Sequence, residues 1–161
     1  MIVRVANEND FDRIHELMYQ IFEKHLLRRP DIYKQGEIYT LEQHKKSLIN
    51  KNELILLAES DQMVVGLCHM VKMEFKENPI MRQDYVAFIE DFCVDRDYQR
   101  HGIGKVLYEE VVKTAEAWQA DSLELNVWEI NEEARKFYDA IGFKAKSTRM
   151  EFKLNTNLKK C

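Results

Sequence analysis

Two neighbouring carboxylates and one tyrosine are the side chains of this sequence best suited to acid–base chemistry. Glu90 and Asp91 lie inside the apolar run Tyr85–Val94, where a charge is costly unless it is used or paired. A carboxylate can accept a proton from an amine with a pKa of ~10.4, whose deprotonation at pH 7 costs about 4.6 kcal/mol. Tyr138 lies in a helical pattern and can donate a proton. The alternatives are a structural salt bridge or solvated strand end for the carboxylates, and packing for Tyr138.

The strongest binding signal follows that run directly, in the stretch Gln99-Arg100-His101-Gly102-Ile103-Gly104-Lys105. Two glycines let the backbone approach a ligand closely, and the helix that begins there has unpaired N–H groups and a partial positive charge in its first turn. The sequence therefore predicts a phosphate-binding turn. Neither the Walker pattern nor the dinucleotide pattern fits. The Walker pattern requires Ser or Thr where this chain has Val106, and the dinucleotide pattern requires Gly where it has Leu107. A plain strand-to-helix turn is the alternative.

The pattern Gln99-x-x-Gly102-x-Gly104 after a strand resembles the pyrophosphate loop of the GNAT family of acyl-CoA N-acyltransferases. A second pattern, N-x-x-A-x-x-F-Y-x-x-x-G-F from Asn131 to Phe143, is similar to the later CoA-binding segment of that family. Asn131 and Tyr138 are seven residues apart, so a helix places them on one face, about 10.5 Å apart along its axis. The resemblance extends over essentially the whole chain and implies the GNAT fold with acetyl-CoA as co-substrate.

Within the family, the run from Glu90 to Val94, the glycine turn and Tyr138 most resemble the diamine (spermidine/spermine) and thialysine acetyltransferases. This resemblance implies that Tyr138 protonates the leaving thiolate, that Glu90 is the candidate base and that Asp91 lies near the amine. A main-chain N–H of the strand can bind the oxyanion. The implied cofactor contacts are Phe92, Cys93, Val94, Gln99, Arg100, His101, Gly102, Ile103, Gly104, Lys105, Asn126, Asn131 and Ala134.

The leading hypothesis is an acetyl-CoA-dependent N-acetyltransferase that transfers acetyl directly to a primary amine of a small molecule. An enzyme that modifies protein N-termini or lysines and a non-catalytic CoA-binding sensor are the alternatives. A covalent intermediate on Cys93 is disfavoured, because a buried strand cysteine is usually inert and no histidine is placed in sequence to activate it. We interpret His25 and His69 as packing residues.

The elements that must position these groups follow from the hydrophobic pattern, which predicts an α/β fold with a mixed, mostly antiparallel central sheet flanked by helices. A helix ends near His25, and a second is capped by Thr40 with Gln43 and has Leu41, His44, Leu48 and Ile49 on its inner face. The segment from His25 to Tyr33 is either a solvated connector or a substrate lid, and Lys76 to Gln83 is a loop. The predicted strands are Ile2–Val5, Leu54–Glu59, Met63–Val71, Tyr85–Val94, Ser122–Trp128 and Phe143–Phe152.

Length and composition predict one domain over residues 1–154 with a polar tail at 155–161. The net charge of −4 argues against a nucleic-acid partner, and no apolar run is long enough to predict a membrane span. Three widely spaced cysteines suggest neither disulfides nor a metal site, and they favour a reducing cytoplasm. The family resemblance also implies a homodimer.

Overall fold

The computed structural model describes residues 1–75, 80 and 84–154. The loop predicted at 76–83 lies outside the described residues except for Ile80, which is an exposed turn residue, and so does the predicted tail at 155–161. The strands are Ile2–Val5 (β1), Glu53–Ser60 (β2), Met63–Phe75 (β3), Asp84–Val94 (β4) and Ser122–Leu125 (β5). The helices are Phe11–Arg28 (α1), Leu41–Ile49 (α2), Ile103–Ala117 (α3) and Glu132–Ala140 (α4).

The five strands form one sheet in the order β1-β2-β3-β4-β5. The first four pair antiparallel, whereas β5 pairs parallel to β4. This arrangement confirms the predicted α/β class with a mixed, mostly antiparallel sheet. No helix in the described part of the chain is long and apolar enough to cross a bilayer.

Helices pack on both faces of the sheet because successive side chains of each strand point to opposite faces. On one face, Leu57 and Leu67 share a buried cluster with Ile14 and Leu17 of α1. On the other face, α3 approaches so closely that a Cβ on Gly66 would meet the Cys93 carbonyl at 3.0 Å and the Ile103 side chain at 3.6 Å. The end of β4 and the start of α3 are thus held together at a position that requires glycine.

The cap of α2 is the predicted one. Thr40 accepts the N–H of Gln43 at 3.0 Å, and the Gln43 side chain accepts the N–H of Thr40 at 2.7 Å. The inner face agrees with the prediction at His44, which is completely buried, and differs at Leu41 and Ile49, which are exposed. The short helix leaves its two ends open to solvent, so position in the helical pattern alone did not decide burial.

The described chain divides into two compact units, Met1–Trp128 and Glu129–Cys161. In the first unit, the strand predicted for Ser122–Trp128 ends at Leu125, where its pairing with β4 ends. In the second unit, the strand predicted for Phe143–Phe152 is absent from the described residues. Alternating side chains make a strand possible, but a strand forms only where a neighbouring strand completes its hydrogen bonds. The prediction of one domain over residues 1–154 stays a prediction.

Candidate functional site

The phosphate-binding turn begins at Asp95, which is the first residue after β4 and is almost completely buried. Its N–H donates to the Val65 carbonyl at 2.9 Å, and its carboxylate accepts the N–H of Asp97 at 2.9 Å. This second bond caps the short 3-10 turn Arg96–Tyr98. The chain therefore leaves the sheet in one fixed direction.

Side chains of α1 hold the same loop from the other side. Arg13 pairs with the Asp95 carboxylate at 2.5 Å, and Gln20 donates to it at 3.2 Å while accepting the N–H of Arg96 at 3.0 Å. Burial alone would raise the pKa of Asp95, but hydrogen bonds from the Asp97 N–H, Arg13 and Gln20 more than offset it and lower that pKa. Asp95 is thus a charged anchor for the loop.

The predicted glycine turn has the backbone geometry of an anion site. Gly102 is the N-cap of α3 with a left-handed φ of 79°, and its carbonyl accepts the N–H groups of Lys105 at 3.0 Å and Val106 at 3.2 Å. The N–H groups of Ile103 and Gly104 precede the first helical donor and so have no acceptor within the helix. No described atom lies within 4 Å of a Cβ placed on Gly102, so the space beside this residue is open. A helix N-terminus of this kind is a favourable place for an anion.

The polar side chains of the turn have two roles. Gln99 donates to the Val94 carbonyl at 3.0 Å and ties the turn to the end of β4. His101 donates from Nδ1 to the Tyr98 carbonyl at 3.3 Å, because a carbonyl can only accept. Arg100 and Lys105 are exposed, and they add positive charge to the turn.

A β-bulge in β4 corrects the prediction that Glu90 and Asp91 are both buried within a strand. His69 pairs with Asp91 and Met70 pairs with Ile89, so Glu90 is the extra residue without a partner on β3. The bulge leaves Glu90 exposed, and the Asp91 side chain is 33% exposed. Both carboxylates therefore reach solvent, as acid–base groups must.

The same bulge marks the point at which β4 and β5 part. Their parallel pairing ends at Ile89 and Leu125, and β4 continues to Val94 while paired with β3. Within the described chain, the other edge of Phe92 to Val94 has no β5 residue in register. Asn126, predicted to lie in the strand and to contact the cofactor, is an exposed residue beyond the end of β5. A strand edge of this kind can offer main-chain N–H and C=O groups to an extended ligand.

Cys93 is buried, and burial raises the pKa of its thiol to about 11. The thiolate is the nucleophilic form of cysteine, so this environment keeps Cys93 unreactive at neutral pH. The environment agrees with the prediction that Cys93 forms no acyl intermediate.

The interpretation of His69 as a packing residue is wrong. Its ring lies between the carboxylates of Glu53 and Asp91, with Nε2 3.3 Å from Glu53 Oε2 and Nδ1 3.7 Å from Asp91 Oδ2. Burial alone would lower the pKa of His69, but the two carboxylates more than offset it and raise that pKa. No local motif signals this arrangement, because the three residues belong to three different strands.

The segment after α1 also has defined contacts. Tyr33 stacks on His25 with ring centroids 5.1 Å apart, and its hydroxyl accepts the indole N–H of Trp128 at 3.1 Å. Arg29 lies over the Trp128 ring at 4.7 Å. Burial lowers the pKa of His25, which also feels the charge of Asp91. The segment therefore has packed aromatic contacts beside the end of β5, while residues 27–28 and 30–32 are exposed to solvent.

The remaining predicted site residues, Asn131, Ala134 and Tyr138, belong to the second unit and are described within it. The Asn131 side chain accepts the N–H of Ala134 at 3.4 Å and caps α4. Tyr138 is half-buried on the same helix and contacts the Phe143 ring at 5.5 Å. Gly142 follows the helix with a φ of 103°, as expected for a C-terminal stop.

A sequence profile described as the acetyltransferase (GNAT) family matches residues 11–143. Among solved structures, the tetramutant of the BH1408 protein from Bacillus halodurans is 26% identical, with a TM-score of 0.91 over 96% of this chain and 100% of that one. An aminoglycoside acetyltransferase, meta-AAC0020, from an uncultured soil metagenomic sample is 21% identical, with a TM-score of 0.72 over 96% and 95% of the two chains.

A third structure is that of aminoglycoside N-acetyltransferase AAC(6')-Iy in complex with CoA. It is 14% identical, with a TM-score of 0.73 over 96% of this chain and 99% of that one. At such low identity, the two aminoglycoside acetyltransferases show only that the fold is shared.

Proposed function

Because the chain belongs to the acetyltransferase (GNAT) family, we propose that it is an N-acetyltransferase that moves acetyl from acetyl-CoA directly to a primary amine of a small molecule. The observation that carries this proposal is the left-handed Gly102 at the start of α3, which follows the end of β4 that extends beyond its pairing with β5. This geometry offers main-chain donors to a phosphate and, beside them, a strand edge to an extended chain.

Acetyl-CoA supplies the thioester, and the protein supplies its binding site. The N–H groups of Ile103 and Gly104 would bind the diphosphate, with Arg100 and Lys105 adding positive charge. The edge of Phe92 to Val94 would bind the pantetheine amides and give one N–H to the oxyanion. The Gln99 and Asp95 side chains are already engaged with the protein, and their role is to fix the turn.

Acid–base roles follow from exposure and chemical type. Glu90 in the bulge is exposed and suits a base that works directly or through water, while Asp91 suits a group that binds the substrate ammonium. Tyr138 is proposed to protonate the leaving thiolate, on the strength of the motif from Asn131 to Phe143. A non-catalytic sensor would need the glycine turn and none of these three side chains.

Several features support a small amine as the acceptor. Glu53, Glu90 and Asp91 give this part of the first unit a negative character, which attracts a cation. The motifs resemble those of diamine and thialysine acetyltransferases, and two neighbours in fold are aminoglycoside acetyltransferases. The contacts among His25, Tyr33 and Trp128 favour a structured acceptor wall over a passive connector.

The proposal extends to the compartment and the partners of the enzyme. Cys68 and Cys93 are buried free thiols, which supports a reducing, cytoplasmic compartment. The net charge of −4 supports an enzyme without a nucleic-acid partner, and no membrane partner is proposed. The homodimer rests on the family resemblance, and sedimentation equilibrium tests it.

The function is tested by release of free thiol from acetyl-CoA in the presence of putrescine, thialysine, kanamycin or a lysine-containing peptide. We expect turnover with at least one of the three small amines, and a fall in kcat of at least about 100-fold in Tyr138→Phe. Tyr19→Phe, on the outer part of α1, is the matched control and should keep the wild-type rate. Tight CoA binding without turnover would favour the sensor, and turnover of the peptide alone would favour a protein acetyltransferase.

A further inference from the structure

Three titratable side chains form a row across the sheet. Glu53 lies on β2, His69 on β3 and Asp91 on β4, and His69 is the register partner of Asp91. The ring of His69 lies between the two carboxylates, 3.3 Å from Glu53 Oε2 and 3.7 Å from Asp91 Oδ2. One imidazole is thus in reach of both carboxylates.

The row is most buried at its centre. The side chain of His69 is 14% exposed, that of Glu53 is 24% exposed and that of Asp91 is 33% exposed. Side chains in register on adjacent antiparallel strands share a face, so His69 and Asp91 lie on the face that carries α1. A ligand that contacts Asp91 on this face therefore lies next to the His69 ring.

The two ring nitrogens are not equivalent. A neutral imidazole has one N–H, and Nε2 at 3.3 Å from Glu53 is the nitrogen placed to donate it. Nδ1 then has a lone pair that faces Asp91 Oδ2 at 3.7 Å, which is longer than a hydrogen bond. Two acceptors that face each other in this way can both be satisfied by a donor with several N–H groups, such as a primary ammonium.

The Glu53 end of the row is held in place. Asn50 donates to Glu53 Oε1 at 2.7 Å, which leaves Oε2 directed at His69. Burial alone would raise the pKa of Glu53, but hydrogen bonds from Ser47, Asn50 and His69 more than offset it, and that pKa is lowered. The other titratable groups near the row are His25 on α1, which feels Asp91, and Tyr39, whose pKa is raised by burial to about 12 and which stays neutral.

We propose that Nδ1 of His69 accepts the proton of the substrate ammonium, that Asp91 binds the same ammonium, and that Glu53 is a positioning residue that fixes the tautomer of the ring. This inference deepens the proposed acetyl transfer and rests on it. It makes His69, rather than Glu90, the direct base.

The proton balance is simple. The ammonium R–NH3⁺ gives one proton to Nδ1, and the lone pair so released forms the bond to the thioester carbon. The C–S bond then breaks, the second proton leaves nitrogen and the thiolate becomes a thiol. His69 returns the first proton to solvent, so one acetyl-CoA and one ammonium give one amide, one CoA thiol and one proton.

The chemistry of imidazole suits this step. The reference pKa of imidazole, about 6.5, lies closer to the ~10.4 of an alkylammonium than the ~4 of a carboxyl group does. The two carboxylates raise the pKa of His69, which brings it still closer to the pKa of the alkylammonium. Because the base must be neutral, activity should rise with pH as His69 loses its proton, with an apparent pKa above 6.5 that belongs to the coupled row.

The test is the pH dependence of kcat/KM, measured with the amine that wild type turns over best. His69→Gln keeps a donor for Glu53, and we expect it to lower kcat/KM by about 100-fold and to abolish the rise with pH. Glu53→Gln removes the carboxylate that faces Nε2 of the His69 ring. The rise of kcat/KM should therefore move to lower pH, and kcat/KM should fall less than in His69→Gln. Glu59→Gln on the same strand, similarly buried but paired with Arg4, and His15→Gln on α1 should keep the wild-type profile.

A second measurement does not depend on turnover. Nuclear magnetic resonance of the His69 ring against pH should give a pKa above 6.5 in wild type and a lower one in both Asp91→Asn and Glu53→Gln. A His69 pKa that neither substitution changes would contradict the row. A wild type without turnover on any amine would overturn the proposed function, whereas turnover with an unchanged His69→Gln profile would overturn only the role of His69.

Discussion

Arg13 and Asp95 are 82 residues apart in sequence, yet Nη2 of the arginine lies 2.5 Å from Oδ2 of the carboxylate. The same guanidinium donates to the Val64 carbonyl at 2.8 Å. One side chain of α1 thus joins the start of β3 to the loop that carries the phosphate-binding turn. The geometry of that turn depends on a helix that has no motif of its own.

Loss of this ion pair should destabilise the fold in a pH-dependent way. Asp95→Asn removes the buried carboxylate of this pair and leaves the three-quarters buried Arg13 with only the exposed Glu16 as a charged partner. We expect about 2 kcal/mol less free energy of unfolding at pH 7. The folded-state pKa of Asp95 is depressed, so its contribution is complete above about pH 4 and is lost as pH falls through the folded value. Urea unfolding at pH 7 and pH 3 measures the loss of stability and its dependence on pH. Asp97→Asn, at an exposed residue of the same loop, is the control. A stability loss that is the same at both pH values would contradict this account.

The left-handed turn should be sensitive to a single methyl group. Gly102→Ala adds a Cβ that meets no atom within 4 Å, so its cost comes from the φ of 79° alone and should be about 1–2 kcal/mol. Relaxation of that strain would redirect the first N–H groups of α3, and we expect the Kd for CoA to rise about tenfold in calorimetric titration. Gly36→Ala also meets no atom within 4 Å and does not have a positive φ, so it is the matched control. Equal affinities in the two variants would show that the turn does not bind the cofactor.

The thiol of Cys93 should remain unmodified during the reaction. With a pKa of about 11, on the order of one thiol in a thousand is ionised at pH 8. We expect no acetyl group on Cys93 when the protein is incubated with acetyl-CoA alone, as judged by mass spectrometry of the peptide. Iodoacetamide should label this cysteine in urea but not in the folded protein. Detection of an acetylated Cys93 peptide would replace direct transfer with a covalent route.

Asn131 offers a way to separate a helix cap from a cofactor contact. Its side-chain oxygen caps α4 through the Ala134 N–H, and aspartate would do the same with a charge that favours the helix N-terminus. Asn131→Asp should therefore keep the free energy of unfolding, whereas Asn131→Ala should lower that free energy by about 1 kcal/mol. If the amide also binds the pantetheine end of CoA, Asn131→Asp alone should weaken CoA binding. Wild-type affinity in this stable variant would limit Asn131 to its structural role.

The parts of the structure that sequence predicted well are governed by neighbours in the chain. The Thr40 and Gln43 cap and the glycine turn at the start of α3 each depend on a few consecutive residues. Such signals are physical properties of short segments, so they can be read without knowledge of the fold. The α/β class with a mixed sheet was also accessible, because the alternation of strands and helices strongly limits the topology.

The features that were not predicted from the sequence depend on the pairing and register of the strands. The exposure of Glu90 follows from a bulge that exists only in the register of β3 with β4, and the contacts of His69 need three strands at once. The early end of β5 and the missing strand at Phe143–Phe152 have the same cause, because alternation cannot specify a partner. Pairing over long distances in sequence is set by the packed structure as a whole.

The most direct test of the account is a crystal structure of the protein with bound acetyl-CoA. We predict diphosphate oxygens within about 2.7–3.2 Å of the main-chain nitrogens of residues 102–104, and the thioester alongside Phe92 to Val94. The Tyr138 hydroxyl should then lie near the thioester sulfur. A diphosphate bound elsewhere, with the Gly102 turn free of ligand in a fully occupied complex, would contradict the central claim.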